Sequence, residues 1–160
     1  MTFRKTTVDY DMLILVGIGP KADLALERFL DGHKQKKPLI FRCEEVLVWD
    51  PYGSLARSIL SALMRYSVIQ EIWILGYKSE QDSTFSILSE NADKRTASTA
   101  TYLISHLSGL SEDRWFHVPS DESSGAWKTA HLLQNHPLLP RPVKVKVALL
   151  DNQDHLIVQE

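Results

Sequence analysis

The sequence has little cysteine, little net charge and no long hydrophobic run, and each shortage excludes a class of protein. Its one cysteine, Cys43, excludes an intramolecular disulfide framework and a thiolate-rich metal cage. A formal net charge of −2 provides no overall basic field to attract nucleic acid or anionic lipid. No stretch approaches the roughly 18 apolar residues that a membrane-spanning helix needs. We therefore expect a cytoplasmic protein with no nucleic-acid partner and no direct membrane insertion.

The length and composition indicate one globular domain over residues 1–160. Hydrophobic residues make up 44% of the chain and charged residues 24%, which are ordinary values for a folded protein. A chain of 160 residues can bury a sizeable core without disulfides or structural metals. The apolar stretch at residues 12–18 follows two aspartates and precedes no small-residue cleavage site, so we do not interpret it as a secretory signal.

Short continuous apolar runs alternate with helical patterns in the first half of the chain. The runs are typical of strands buried on both faces, and they lie at residues 12–16, 46–49 and 72–75. Pro20 occupies a first helical position, and Gly32 with the following lysines ends that helix. After a turn at residues 50–54, apolar side chains recur at helical spacing; they are Leu55, Ile59, Leu60, Leu63 and Met64.

The second half continues the same alternation more weakly. It predicts a loop at residues 79–98, helices around 102–107 and 126–133, and strands at 115–118, 144–150 and 156–158. The alternating valines and lysines at the start of residues 144–150 predict a strand with one wet face. A hairpin-like turn at residues 151–154 precedes the last strand. The fold class is therefore α/β, a parallel sheet flanked by helices with an antiparallel C-terminal edge strand.

Ligands of open parallel sheets bind beyond the carboxyl ends of the strands. Those ends are followed here by residues 17–21, 50–54 and 76–80, which we expect to converge on one crevice. The first of these loops also fits the form G-x-G-x-x-A between a strand and a helix, a weak dinucleotide fingerprint. Pro20 removes one amide donor from that loop, so a tight turn explains the two glycines as well as a phosphate cradle does.

The order and spacing of these segments resemble the β-class carbonic anhydrases. The resemblance runs from the strand at residues 46–49 through the turn at 50–53 and the pair Ser58-Ile59 to Gly76-Tyr77-Lys78-Ser79-Glu80. It continues in the tail, where residues 135–140 precede a strand that ends in Leu150-Asp151. The resemblance implies the fold of that family, and a homodimer, because its members are dimers or higher oligomers.

The residues that carry zinc in that family are replaced in this sequence. By the resemblance, the first signature, Cys-x-Asp-x-Arg, corresponds to Gly17, Gly19 and Lys21. The histidine and cysteine of the second signature correspond to Tyr77 and Glu80. Catalytic zinc takes three protein ligands and keeps a fourth position open for water. Of the three ligand positions only Glu80 keeps a side chain that commonly binds zinc, and no histidine lies at ligand spacing from another. We therefore expect no zinc, no other cofactor and no catalytic residue.

The resemblance then implies a pseudoenzyme, a partner or sensor in the handling of CO2 and bicarbonate. Its crevice would be the degenerate family site, formed by Gly17, Gly19, Lys21, Asp50, Tyr77 and Glu80. One alternative is an active carbonate dehydratase with an unusual metal site. Another is a nucleotide- or anion-binding module that uses residues 17–21. Asp50 also has a plain structural interpretation, because an aspartate before Pro-Tyr-Gly-Ser is typical of a turn.

Overall fold

Five strands form one mixed sheet in the computed structural model, which describes residues 9–43, 48, 50–78, 92–111, 115 and 122–159. The strands are β1 (Met12–Val16), β2 (Pro38–Arg42), β3 (Glu71–Tyr77), β4 (Lys144–Leu150) and β5 (Leu156–Gln159). Their order in the sheet is β2-β1-β3-β4-β5. The first four are parallel, whereas β5 runs antiparallel to β4. The predicted α/β class, with its antiparallel C-terminal edge strand, is confirmed.

The helices are α1 (Pro20–Gly32), α2 (Ser54–Arg65), α3 (Lys94–Ser108) and α4 (Glu122–Gln134). The chain divides into two compact units. One comprises residues 1–80 and 121–160 and contains the sheet with α1, α2 and α4; the other comprises residues 81–120 and contains α3. A single domain over residues 1–160 stays a prediction. Among the described helices, none has the length and apolar character needed to cross a bilayer.

Helix α1 covers one face of the sheet. Its Phe29 is almost fully buried, with its ring 4.2 Å from that of His33 and 4.9 Å from that of Trp73 on β3. Aromatic contacts of this kind add to the free energy gained from burying apolar area. The buried residues of this layer are Met12, Ile14, Val16, Ala22, Leu26, Phe29, Trp73, Leu75 and Ala148.

Helices α2 and α4 cover the opposite face. The predicted stripe of α2 supplies Ile59, Leu60 and Leu63 to this layer, whereas Met64 is exposed because it lies at the margin of the stripe. From α4 come Ala126, Ala130 and Leu133. In β1, alternate side chains enter the two layers, so every residue of this central strand is buried, as its apolar run predicts.

The strand next to β1 differs from the prediction. The apolar run at residues 46–49 predicts a strand, but β1 pairs instead with β2, Pro38–Arg42. Val48 is buried outside any strand, and the other residues of that run lie outside the described residues. As the edge of the sheet, β2 is only partly buried and carries an arginine. An edge strand has a neighbour on one side only, which explains why its sequence lacks a continuous apolar run.

Three smaller differences concern the second half of the chain. Helix α3 begins at Lys94, inside the predicted loop, because the Asp93 carboxylate accepts the amide hydrogens of Arg95 and Thr96. Trp115 is helical rather than extended, and residues 116–118 lie outside the described residues. In β4, the last four residues are fully buried, since β5 pairs beside them and both helical layers cover them.

Candidate functional site

The carboxyl ends of four parallel strands lie along one edge of the sheet, here called the carboxyl edge. These ends are Val16, Arg42, Tyr77 and Leu150. Hydrogen bonds continue past the strands: the Cys43 amide donates to the Val16 carbonyl at 3.2 Å, and the Lys78 amide donates to the Leu150 carbonyl at 3.1 Å. The loop after β1 therefore lies between the ends of β2 and β3, where the rule for parallel sheets places a ligand.

The two glycines of that loop have different environments. Gly17 is buried directly after β1. Gly19 is the N-cap of α1 and has a φ of +123°, a conformation that residues with a Cβ rarely adopt. A Cβ built on Gly19 would meet no described heavy atom within 4 Å. The positive φ is therefore enough to explain why a glycine occupies position 19, and close approach of a ligand to the backbone is not needed as a reason.

Lys21, the second residue of α1, forms an ion pair with a residue from the other end of the sequence. Its Nζ lies 3.4 Å from Oδ1 of Asp154 in the turn between β4 and β5. The two side chains are about half exposed, at 49% and 47%. Asp154 has a φ of +60°, a left-handed conformation that aspartate tolerates better than most residues. An anion that binds Lys21 has to compete with this carboxylate.

Asp151 organises the turn that carries Asp154. Its Oδ1 accepts the amide hydrogens of Gln153 and His155, both at 2.8 Å. The hydrogen bond from the His155 amide, followed by that from Gln153, holds the pKa of the Asp151 carboxyl below its usual range despite opposing desolvation. A carboxylate with a lowered pKa stays ionised in mildly acidic solution, so this turn keeps its hydrogen bonds there.

A second ion pair stands beside the first. Arg42, at the end of β2, donates from Nη1 to Oδ1 of Asp23 in the first turn of α1, at 2.6 Å. Asp23 is also well placed near the helix N-terminus, where the helix dipole favours a negative charge. Each of the two basic side chains described here, Lys21 and Arg42, is thus matched by one carboxylate.

Asp50 lies in the turn before α2. Its Oδ1 accepts the Tyr52 amide hydrogen at 2.9 Å, and its carbonyl accepts the Gly53 amide hydrogen at 3.2 Å. A Cβ on Gly53 would stand 3.1 Å from the Asp50 side chain, so this turn has no room for one without a shift. The contacts described for the Asp50 carboxylate lie within its own turn.

A buried histidine joins this turn to the tail of the chain. His136 is 5% exposed, its Nδ1 accepts the Leu138 amide hydrogen at 3.1 Å, and its Nε2 donates to the Pro51 carbonyl at 2.8 Å. Because an amide can only donate and a carbonyl can only accept, these two bonds fix the tautomer with hydrogen on Nε2. His136 is therefore a buried residue of the turn that follows α4.

The positions that would hold zinc by the resemblance do not fit the ion. Gly17 has no side chain, and Tyr77, half-buried at the end of β3, packs its phenol ring against the layer covered by α1. Neither supplies the thiolate, imidazole or carboxylate that zinc takes in catalytic sites. Glu80 lies outside the described residues. Within the described ranges, no three histidine, cysteine or acidic side chains cluster as a metal site would require.

Sequence comparison finds one informative relative, and no family model matches the chain. The chain is 29% identical over 101 residues to YbcF, a Bacillus subtilis protein named carbonic anhydrase-like. The match covers 60% of this chain and 56% of that protein, so it spans little more than half of the relative's length.

Solved structures of β-carbonic anhydrases share the fold. The Streptococcus mutans carbonic anhydrase is 17% identical, with a TM-score of 0.60 over 95% of this chain and 84% of that chain. The enzyme from Trichomonas vaginalis is 14% identical, with a TM-score of 0.62 over the same shares. A carbon disulfide hydrolase is also similar, at 17% identity and a TM-score of 0.59 over 93% and 79%. At these identities the likeness establishes the fold, and the predicted resemblance is confirmed.

Sequence reasoning did not find two residues of the carboxyl edge, Arg42 and Asp154. Each pairs with a residue of α1 that is far away in the chain; Lys21 and Asp154 are separated by 133 positions. No local pattern indicates such a pair. A basic residue that directly ends an apolar stretch, as Arg42 does, is the one signal that could have pointed to this edge.

Proposed function

We propose that this chain, a divergent relative of the β-class carbonic anhydrases with their fold, is a non-catalytic partner or sensor in inorganic-carbon handling. The observation that carries the proposal is that Gly17 and Tyr77, at the carboxyl edge of a sheet with that fold, stand where the resemblance places zinc ligands. Carbonic anhydrase chemistry depends on a metal that lowers the pKa of its bound water to about 7. A glycine and a phenol do not provide the ligands for such an ion.

Lys21 is the residue we assign to recognition of bicarbonate or a similar small anion. Its amine stands at the N-terminal end of α1, where the helix dipole also favours an anion. The competing carboxylate of Asp154 is half exposed and 3.4 Å away. Exposed pairs of this kind contribute about 0–1 kcal/mol, so an incoming anion can displace Asp154 at little cost. The same weak electrostatics predict weak, salt-sensitive binding, as suits a sensor.

The first experiment measures zinc and activity together. Tag-free protein is purified with zinc present, its metal content is determined by elemental analysis, and CO2 hydration is followed by stopped-flow. We expect less than about a tenth of an equivalent of zinc and no hydration above the uncatalysed rate. Zinc near one equivalent per chain, with hydration that a chelator abolishes, would overturn the proposal in favour of the carbonate dehydratase.

The second experiment tests the anion site. Bicarbonate is titrated into the wild-type protein and into Lys21→Ala and Asp154→Ala, with amide NMR shifts of the Gly19 region as the readout. We expect Lys21→Ala to weaken binding at least about fivefold, and Asp154→Ala to strengthen it, because the competing carboxylate is removed. Lys34→Ala removes an exposed lysine just beyond the C-terminal end of α1 and serves as the control. Equal affinities in all four proteins would exclude Lys21 as the anion residue.

We also propose a homodimer in the cytoplasm. The support is the fold: solved structures that share it include two β-carbonic anhydrases from Sordaria macrospora described as tetrameric, one of which has a TM-score of 0.53 to this chain. Light scattering on the eluting protein measures the mass directly. A species of 18.2 kDa at all concentrations would contradict the homodimer.

Adenine nucleotides, added to the protein in the same NMR titration, test the alternative nucleotide-binding module. Shifts of the Gly19 amide signal with nucleotide but not with bicarbonate would favour that module.

A further inference from the structure

A groove of about 770 Å³ lies at the amino end of β4, away from the carboxyl edge. Its apolar wall comes from the turn after α4 and includes Pro137, Leu139 and Pro140. Its other wall is basic and comprises Arg141, Lys144 and Lys146. Since β4 is seven residues long and rises about 3.3 Å per residue, roughly 20 Å of sheet separate the groove from the carboxyl edge. The two are therefore distinct places on the molecule.

The basic side chains of the groove differ in what neutralises them. Lys146 donates to Glu71 at 2.8 Å, and its amine lies 5.0 Å from the centre of the Trp73 ring. Arg141 and Lys144 are exposed, and neither forms an ion pair with any residue that the structure describes. Among the described residues, these two positive charges beside the apolar wall have no carboxylate partner. Charge complementarity favours an occupant with carboxylates.

Along this groove, one side of β4 has no neighbouring strand among the described residues. β5 pairs with residues Val147–Leu150 of β4, and its pairing stops at the contact of Val147 with Gln159. The Lys144 amide donates to Gln70, at the start of β3. Because successive peptide groups of a strand point to opposite sides, the N–H and C=O of Val145 point away from β3. No strand of the described chain lies beside Val145 on that side.

We propose that this groove binds an extended acidic peptide segment of a partner protein by strand addition. The peptide lies beside the first half of β4, in line with β5, and exchanges main-chain hydrogen bonds with Val145. Its carboxylates contact Arg141 and Lys144, and an apolar side chain between them rests on Pro137 and Pro140. The volume suits a short segment, since sites that enclose small ligands span about 300–1,000 Å³. The inference stands independently of what binds at the carboxyl edge.

The test uses the full chain and two capped, fluorescein-labelled probe peptides of about eight residues. The first alternates glutamate with valine; the second alternates glutamate with proline, which keeps the charge but removes half of the amide donors. Fluorescence anisotropy measures binding at low and at near-physiological salt. We expect the Glu-Val peptide to bind at least about tenfold more tightly than the Glu-Pro peptide, and more weakly as the salt rises. Equal affinity for both probes, or no binding up to about 1 mM, would overturn the proposal.

Variants separate the charge from the main chain. The double variant Arg141→Glu, Lys144→Glu is expected to weaken the Glu-Val peptide at least about tenfold. Lys128→Glu makes the same kind of charge change on the exposed side of α4, outside the groove, and should change affinity less than about twofold. Similar losses of affinity in the double variant and in Lys128→Glu would mean that the peptide responds to the overall charge of the protein and does not bind in this groove.

Val145→Pro tests strand addition itself. It removes the one amide hydrogen that points to the open side, whereas the bonds between β4 and β3 use the neighbouring residues. We expect loss of Glu-Val binding, with the melting temperature and the far-ultraviolet circular dichroism spectrum as checks on folding. Val145→Thr keeps the amide and the side-chain shape, so it should bind like the wild type even if Val145→Pro fails to fold. A loss of Glu-Val peptide binding in Val145→Thr would contradict strand addition. So would a Val145→Pro protein that still binds the Glu-Val peptide while inorganic phosphate fully displaces that peptide.

Discussion

The salt bridge between Glu71 and Lys146 gives the sharpest test of how this protein is stabilised. Oε1 of Glu71 accepts from Lys146 at 2.8 Å, and Oε2 accepts from the indole of Trp73 at 3.1 Å. The lysine amine also lies 5.0 Å from the centre of the Trp73 ring. With 25% and 30% of their side chains exposed, the two partners are more buried than a typical surface pair. The perturbation is Lys146→Met, which keeps the length and apolar stem and removes the charge.

The expected loss is about 1.5 kcal/mol at neutral pH. About 1 kcal/mol comes from the ion pair, the upper end of the range for exposed pairs, because burial weakens screening by solvent. About 0.5 kcal/mol comes from the cation over the Trp73 ring. In urea, with an m-value of about 2 kcal/mol per molar, the unfolding midpoint should fall by roughly 0.7 M. Lys36→Met is the matched control, because Lys36 also lowers the pKa of Glu71 but only through a weaker, longer-range attraction.

The pH dependence of this loss has a definite sign. The hydrogen bond from Lys146, above all, holds the pKa of Glu71 below its ordinary value of 4.5. A lowered carboxyl pKa stabilises the fold fully above 4.5, and that contribution disappears as the pH falls through the folded-state pKa. The difference in unfolding free energy between wild type and Lys146→Met should therefore shrink from about 1.5 toward about 0.5 kcal/mol as the pH falls from neutral through the folded-state pKa of Glu71, leaving the cation over the ring. The reasoning would be refuted by a difference in unfolding free energy that does not change with pH, or by a loss of stability in Lys36→Met equal to that in Lys146→Met.

Three further predictions concern single hydrogen-bonding groups and can be checked by urea unfolding or amide exchange. His136→Leu should lower the free energy of unfolding by about 2 kcal/mol, since it removes two hydrogen bonds and leaves the Pro51 carbonyl unpaired. Thr129→Val should cost about 1–2 kcal/mol because the buried Val48 amide loses its acceptor at 2.7 Å, whereas Thr129→Ser should keep it; equal losses would contradict this assignment. Asp93→Ala should speed amide exchange in the first turn of α3, and Asp93→Asn should not. The pKa of Asp93 is lowered chiefly by the hydrogen bond from the Thr96 hydroxyl, so the wild-type cap should persist in mild acid. Amide exchange as fast in Asp93→Asn as in Asp93→Ala would exclude capping.

Most of the main sheet could be predicted because buried elements carry strong patterns. β1 and β3 are continuous apolar runs, and α2 shows a stripe at helical spacing, since each must fill a layer of the core. β2 could not be predicted in the same way. It starts with a proline, follows three lysines and is covered on one side only, so its residues satisfy weaker constraints than those of a central strand.

The candidate site was predictable only in its backbone. The glycine loop follows from the chain leaving a buried strand and entering a helix, and Gly19 has the positive φ that such a sharp turn requires. The partners of that loop depend on tertiary structure: Asp154 and Arg42 reach α1 from the last turn and from the edge strand. Single-residue patterns do not encode contacts over such separations, so the charge balance of the carboxyl edge becomes visible only once the sheet order is known.

The position of β4 in the sheet has a consequence for how the protein is made. Val147 and Leu149 complete one hydrophobic layer and Ala148 belongs to the other, so neither layer is closed until β4 has left the ribosome. Until then, β3 exposes the long side that β4 later covers, with Trp73 and Ile74 at its centre. An apolar strand with an open side is a template for pairing with other chains. Nascent or C-terminally shortened forms of this protein should therefore aggregate, and their recovery should depend on chaperones that shield β3.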